Sequence, residues 1–106
     1  MKLGIVISTN DAETVWNAFR LANFSLKNGD NVGVFLVGKA VEYDKNRDVK
    51  FDAAAEAEKF ADANGKIMAC GTCMKLREKE GTKTCPISSL KDLHALINES
   101  EKIDSF

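Results

Sequence analysis

A chain of 106 residues, 44% hydrophobic and 29% charged, has the size and composition of one globular domain, residues 1–106, with a single core. Fifteen basic and sixteen acidic residues leave a formal net charge of −1, so no basic footprint speaks for nucleic acid. No apolar run is long enough to span a membrane, and the N-terminal run is too short for a signal-peptide core; the expected location is therefore the cytoplasm.

Residues 3–7, LGIVI, form a continuous apolar run rich in β-branched side chains, the pattern of a strand buried on both faces of a parallel sheet. Ser8, Thr9, Asn10 and Asp11 break it. Asn10 with Glu13 three residues on reads as a capping box, and Val15, Phe19, Ala22 and Leu26 then recur at helical spacing. Gly29 closes that helix. Residues 31–37, NVGVFLV, are a second buried strand. The polar stretch 38–48 exceeds a simple strand-to-helix turn and reads as a long loop, a frequent place for binding residues. Asp52 caps an alanine-rich helix over 53–63, which Asn64 and Gly65 stop.

Residues 67–70 give a third short strand, followed by a helix over 71–80 that Gly81 closes. Residues 82–87 read as a fourth strand, held at an edge because Pro86 cannot donate to a central ladder. Ser89 with Asp92 opens a last helix whose apolar face is Leu90, Leu93, Leu96 and Ile97, and residues 102–106 supply a fifth strand. This alternation predicts an α/β domain of three layers, a parallel sheet of about five strands with helices on both faces. Ligands of such sheets bind at the carboxyl ends of the strands. That edge gathers Asn10, the stretch beginning at Gly38, and the segment Cys70-Gly71-Thr72-Cys73.

Chemistry concentrates in that last segment. A thiol where a strand ends and a helix begins faces backbone N–H groups that lack helical partners, which favours the thiolate over the thiol. Cys70 is thus the first candidate nucleophile, with the N–H groups of Gly71 and Thr72 around it and the cations of Lys75 and Arg77 nearby. Cys73, three residues on, lies on the same side of a helix start and is a candidate resolving thiol. Asn10 and Gly38 are candidates for contacting a bound ligand or anion.

Three cysteines in a chain expected inside the cell leave metal binding or thiol chemistry rather than a disulfide framework. Cys70, Cys73, Cys85 and His94 make a formal ligand set, but the second half has no pair spacing of its own, so no metal is expected. Cys85, Trp16 and Met68 read as packing residues, and His94 as a surface or half-buried one. No glycine-rich phosphate loop follows the first strand, so no nucleotide and no other cofactor is expected.

The strand NVGVFLVGKAV, the third strand ending in Ala69-Cys70, the motif Ala69-Cys70-Gly71-Thr72-Cys73 with Arg77 and Gly81 behind it, and the terminal helix and strand ending in Ser105-Phe106 together resemble the DsrE/DsrF-like family, which includes the TusBCD-type sulfur-relay subunits. The resemblance spans nearly the whole chain. It implies a compact α/β fold, assembly as a trimer or hexamer, and a persulfide carried on the cysteine after the third strand, here Cys70. It implies sulfur donor and acceptor proteins as partners. Gly71 would let backbone come close to that sulfur. A faithful carrier needs Cys73 turned away or buried, whereas a thiol-disulfide reductase needs it near Cys70. A non-catalytic oligomeric module, binding a small ligand or a partner at the strand ends, is the reading in which the thiols merely pack.

Overall fold

Parity along the strands decides which side chains meet which helices. In the computed structural model, which describes all 106 residues, the strands are β1 (Lys2–Ile7), β2 (Asn31–Leu36), β3 (Lys66–Cys70), β4 (Ile87–Ser88) and β5 (Lys102–Ser105). The helices are α1 (Ala12–Lys27), α2 (Ala53–Asp62), α3 (Gly71–Leu76) and α4 (Leu90–Glu99), with a 3-10 helix at Gly38–Lys45. All strand pairs are parallel, in the order β4-β3-β2-β1-β5. Side chains alternate faces along a strand. Leu3, Ile5, Ile7, Val32, Val34, Leu36, Ile67 and Ala69 therefore join α1 and α2 in the main core, while Phe35, Met68 and Cys70 form a smaller cluster with Leu93 and Leu96 of α4. The three-layer parallel sheet expected from the sequence is the one observed. No helix is long and apolar enough to cross a membrane.

Local chemistry sets most element ends. The Asp11 carboxylate, not Asn10, caps α1, accepting from the Thr14 N–H at 3.0 Å and the Thr14 hydroxyl at 2.8 Å. Those bonds hold the Asp11 carboxyl below its ordinary range. An ionised carboxylate one residue later outcompetes the asparagine because its charge complements the helix dipole. Asp52 caps α2 through the Ala55 N–H at 3.0 Å, and Ser89 donates to Asp92 at the start of α4 from its N–H at 2.8 Å and its hydroxyl at 3.1 Å. Helices α1, α2 and α3 all end in a left-handed residue, Gly29 (φ 90), Asn64 (φ 68) and Glu78 (φ 52). At each end, the following N–H reaches back to the carbonyl three residues inside the helix terminus: Asp30 to Ser25, Gly65 to Phe60, and Lys79 to Met74.

Four further expectations change. The stretch 38–48 is not an open loop: residues 38–45 wind into the 3-10 helix and bury Ala40, Val41 and Tyr43 against the main core. Helix α3 stops at Leu76 rather than residue 80, because Glu78 takes the left-handed conformation. The fourth strand is only Ile87–Ser88, since residues 82–85 close a turn in which the Thr82 N–H bonds the Cys85 carbonyl and the Thr82 hydroxyl accepts from the Cys85 N–H, both at 3.0 Å. On α4 only Leu93 and Leu96 pack on the sheet, and Leu90 is left 70% exposed.

Glu78 is a non-glycine residue in a conformation that costs L side chains energy. Glu78→Gly is expected to raise stability by up to about 1 kcal/mol, the left-handed penalty less the added chain entropy of glycine. A urea midpoint unchanged or lowered relative to the parent chain would contradict this.

Candidate thiol site

Cys70 is both the last residue of β3 and the residue immediately before α3. It is an even-numbered residue of β3, so its side chain points to the α4 side of the sheet, against Phe35, Met68, Leu93 and Leu96. Its relative exposure is 8%. No full cap hydrogen bond forms to its sulfur, so the first-turn N–H groups act on it as oriented dipoles. Burial pushes the Cys70 thiol up. The Cys73 N–H, the Cys73 thiol and the Thr72 N–H more than offset that burial and bring it below the ordinary thiol value.

No charged side chain contributes to that shift, which corrects the expectation for Lys75 and Arg77. Lys75 stays exposed on α3. Arg77 is spent elsewhere: its Nε donates to Glu42 Oε1 at 3.0 Å, and its NH1 group to the Cys73 carbonyl at 3.0 Å. The guanidinium holds the Glu42 carboxyl below the usual range. Lys79 pairs with Asp44 and its ammonium stands 5.9 Å from the Tyr43 ring centre. The 3-10 helix and the end of α3 are thereby clamped together.

Cys73 is half-buried and unbridged. The Gly38 N–H donates to its sulfur at 3.2 Å, a contact that brings two expected site residues together. Gly38 has a φ of +57, the region glycine enters freely, and that conformation turns its amide as the chain leaves β2. A Cβ on Gly71 would lie 3.0 Å from Ile87 Cγ2 and 3.1 Å from the Ser88 carbonyl oxygen, so its bareness admits the edge strand. Thr72 is exposed and its N–H contributes to the Cys70 environment. Asn10 lies at the same sheet edge but is joined to the far end of the 3-10 helix, its carbonyl accepting from Asn46 Nδ2 at 2.9 Å. Glu42 and Tyr43, within the stretch expected to be a loop, also belong to this neighbourhood; the apolar Ala40, Val41 and Tyr43 are the sequence signal of that packing.

Cys85 is buried beside Tyr43, and burial pushes its thiol up to about 11. The Tyr43 hydroxyl is raised as well, first by burial and then by the charge of Cys85. His94 is exposed on α4. The four formal ligands Cys70, Cys73, Cys85 and His94 do not converge on a site that could hold a metal ion.

A parallel α/β sheet with a thiol pair at the exit of its third strand describes the class of protein. The family model of the DsrE/DsrF-like family matches residues 1–105, and the chain belongs to that family. Its fold is similar to that of the ychN protein from Escherichia coli, with a TM-score of 0.89 at 20% identity, covering 100% of this chain and 99% of that one. It is also similar to BT1422, a conserved protein of unknown function from Bacteroides thetaiotaomicron, with a TM-score of 0.79 at 22% identity over 99% of this chain and 94% of that one. At these identities the likeness shows the fold. No curated protein matches the sequence.

The thiolate is the species that alkylates, so a lowered pKa means reaction at lower pH. Iodoacetamide is expected to label Cys70 with a pH midpoint below the reference thiol value of about 8.5, while Cys85 stays unlabelled in the folded protein. Peptide mapping that found Cys70 no more reactive than Cys85 at neutral pH would refute the assignment.

Proposed function

We propose that the protein is a cytoplasmic sulfur-transfer protein that carries sulfane sulfur as a persulfide on Cys70, receiving it from one protein and passing it to another. Membership of a family generally associated with sulfur relay supports the reading. The single observation that carries it is the placement of Cys70: a thiol depressed by the first turn of α3, next to a restrained second thiol.

The step follows from thiolate chemistry. The Cys70 thiolate attacks the outer sulfur of a donor persulfide, R–S–S–H; a Cys70–sulfur bond forms, the donor S–S bond breaks, and the donor leaves as a thiolate that takes up the proton of the new persulfide. An acceptor thiolate then attacks the outer sulfur, and Cys70 departs as a thiolate, ready for another cycle. The N–H groups of Thr72 and Cys73 that favour the Cys70 thiolate also suit the persulfide anion. Gly71 belongs to the site as the residue that admits β4 beside it, and Asn10 with Gly38 to the rim that an incoming partner would meet. Assembly as a homotrimer or hexamer is part of the reading, supported by the apolar surface of Ile87, Leu90, Ile97 and Ile103, all exposed in the single chain.

A thiol-disulfide reductase is the second reading, favoured by the packing of Cys73 against the cluster that contains Cys70. There Cys73 attacks the Cys70 sulfur of the persulfide, closing a disulfide and expelling hydrosulfide.

The two separate by intact mass after the reduced protein meets inorganic polysulfide. A gain of one sulfur atom on Cys70, reversed by reductant and abolished in Cys70→Ser, is the carrier outcome. Loss of two hydrogens with sulfide release is the reductase outcome, and sulfur uptake that survives in Cys70→Ser overturns both.

A further inference from the structure

The sheet ends differently at its two edges. At one edge β4 has only two residues and follows Pro86, so little backbone is open to another strand. At the other edge β5 presents four residues, Lys102–Ser105, all exposed and with no strand on their outer side. The bonding to β1 shows which of their backbone groups are free. The Phe106 N–H donates to the Val6 carbonyl at 2.8 Å and the Phe106 carbonyl accepts from the Ser8 N–H at 2.9 Å, so both groups of Phe106 face β1. Direction alternates along a strand, which turns the N–H and C=O of Ser105 and Ile103 outward.

The side chains alternate too. Ile103, paired with Gly4, lies over that glycine on the α4 face of the sheet and is exposed there. Lys102 and Asp104 share the opposite face, and neither makes an ion pair within the chain. The order around Ile103 is therefore cation, apolar residue, anion, which is its own complement when met in the reverse direction.

We propose that two copies of the chain join edge to edge through β5, antiparallel about a two-fold axis at Ile103, into one continuous sheet. In that register the outward N–H and C=O of Ile103 exchange bonds with those of Ile103 in the second copy, and the two isoleucine side chains meet. Lys102 of each copy stands directly opposite Asp104 of the other, at the non-hydrogen-bonded position where side chains come closest. The contact is isologous, so each ion pair occurs twice. A two-fold axis at Lys102 or at Asp104 instead sets like charges against each other, and a parallel copy in register does so at both positions. A lone edge lysine commonly repels a second strand; with Asp104 two residues on, that repulsion selects direction and register. The pairing deepens the assembly part of the carrier reading, since a two-fold axis combined with a threefold gives a hexamer, and it owes nothing to the sulfur chemistry.

The test weighs the parent chain and its charge variants by sedimentation velocity at equal protein concentration. The parent particle is expected to contain an even number of chains. Lys102→Asp sets carboxylates opposite carboxylates and Asp104→Lys sets ammonium groups opposite ammonium groups, and each change is expected to halve the particle mass. Mixing the two single variants puts a lysine opposite an aspartate at every position again, as does the double exchange K102D/D104K. Both are expected to recover the parent mass, and recovery on mixing also shows that each single variant is folded. A parent with an odd number of chains overturns the proposal. So do single variants of parental mass, or halved variants whose mass mixing or the double exchange fails to restore. Sulfur uptake from inorganic polysulfide, mapped to Cys70 in the same proteins, is expected to survive the halving; its absence from the parent removes the carrier and leaves the edge pairing standing.

Discussion

The Arg77 guanidinium holds the site together. Helix α3 has six residues, far too few to persist on propensity alone, since an isolated helix of this length does not repay its nucleation. Everything that makes Cys70 unusual depends on that one short helix being formed, because the N–H groups of Thr72 and Cys73 point at the sulfur only when the first turn is wound. Arg77 caps the far end by bonding the Cys73 carbonyl and, through Glu42, anchors it to a segment 35 residues earlier. A bidentate planar cation suits this task, as it serves a carbonyl and a carboxylate at once. The left-handed Glu78 then turns the chain so that Lys79 reaches Asp44 and the clamp closes.

Three cysteines in one small domain show how environment, not residue type, decides thiol chemistry. Cys85 and Cys70 are both buried, and desolvation alone would raise both. Around Cys85 the next influences are mixed: Lys79 lowers it, Asp44 raises it, and burial prevails. Around Cys70 the remaining influences all come from hydrogen-bond donors and all lower it, so they prevail over burial. The difference traces to backbone topology. Cys85 sits in a turn whose N–H is already satisfied by the Thr82 hydroxyl, whereas Cys70 precedes a helix with unspent donors.

Much of the fold was legible because parallel strands buried on both faces announce themselves as unbroken apolar runs, as residues 3–7 and 31–37 do. The stops at Gly29 and Asn64 were readable because those residue types favour the left-handed region. Glu78 gave no such signal, and α3 was therefore drawn too long. The 3-10 helix was missed because polar side chains dominate GKAVEYDK, although Ala40, Val41 and Tyr43 are the ones that pack. Cys70 could be picked out by local logic, a strand end meeting a helix start. The Gly38–Cys73 contact and the Glu42–Arg77 pair could not, since each joins residues 35 apart and depends on β2 and β3 being neighbours.

Burial and restraint act on different reactions of a thiol. Cys70, 8% exposed and packed with Phe35, Met68 and α4, is closed to thiols from solution, but the same burial does nothing against Cys73, which packs against that cluster from inside the fold. What acts on Cys73 is its own contact, the Gly38 N–H at 3.2 Å from its sulfur, because forming an S–S bond to Cys70 would require the narrow geometry of a disulfide and a sulfur moved off that donor. In the proposed carrier, a sulfur added to Cys70 would sit one S–S bond further out, about 2 Å, and would be the atom an acceptor attacks, so the depth of the cysteine and the tether on its neighbour would bear on two different atoms of one persulfide.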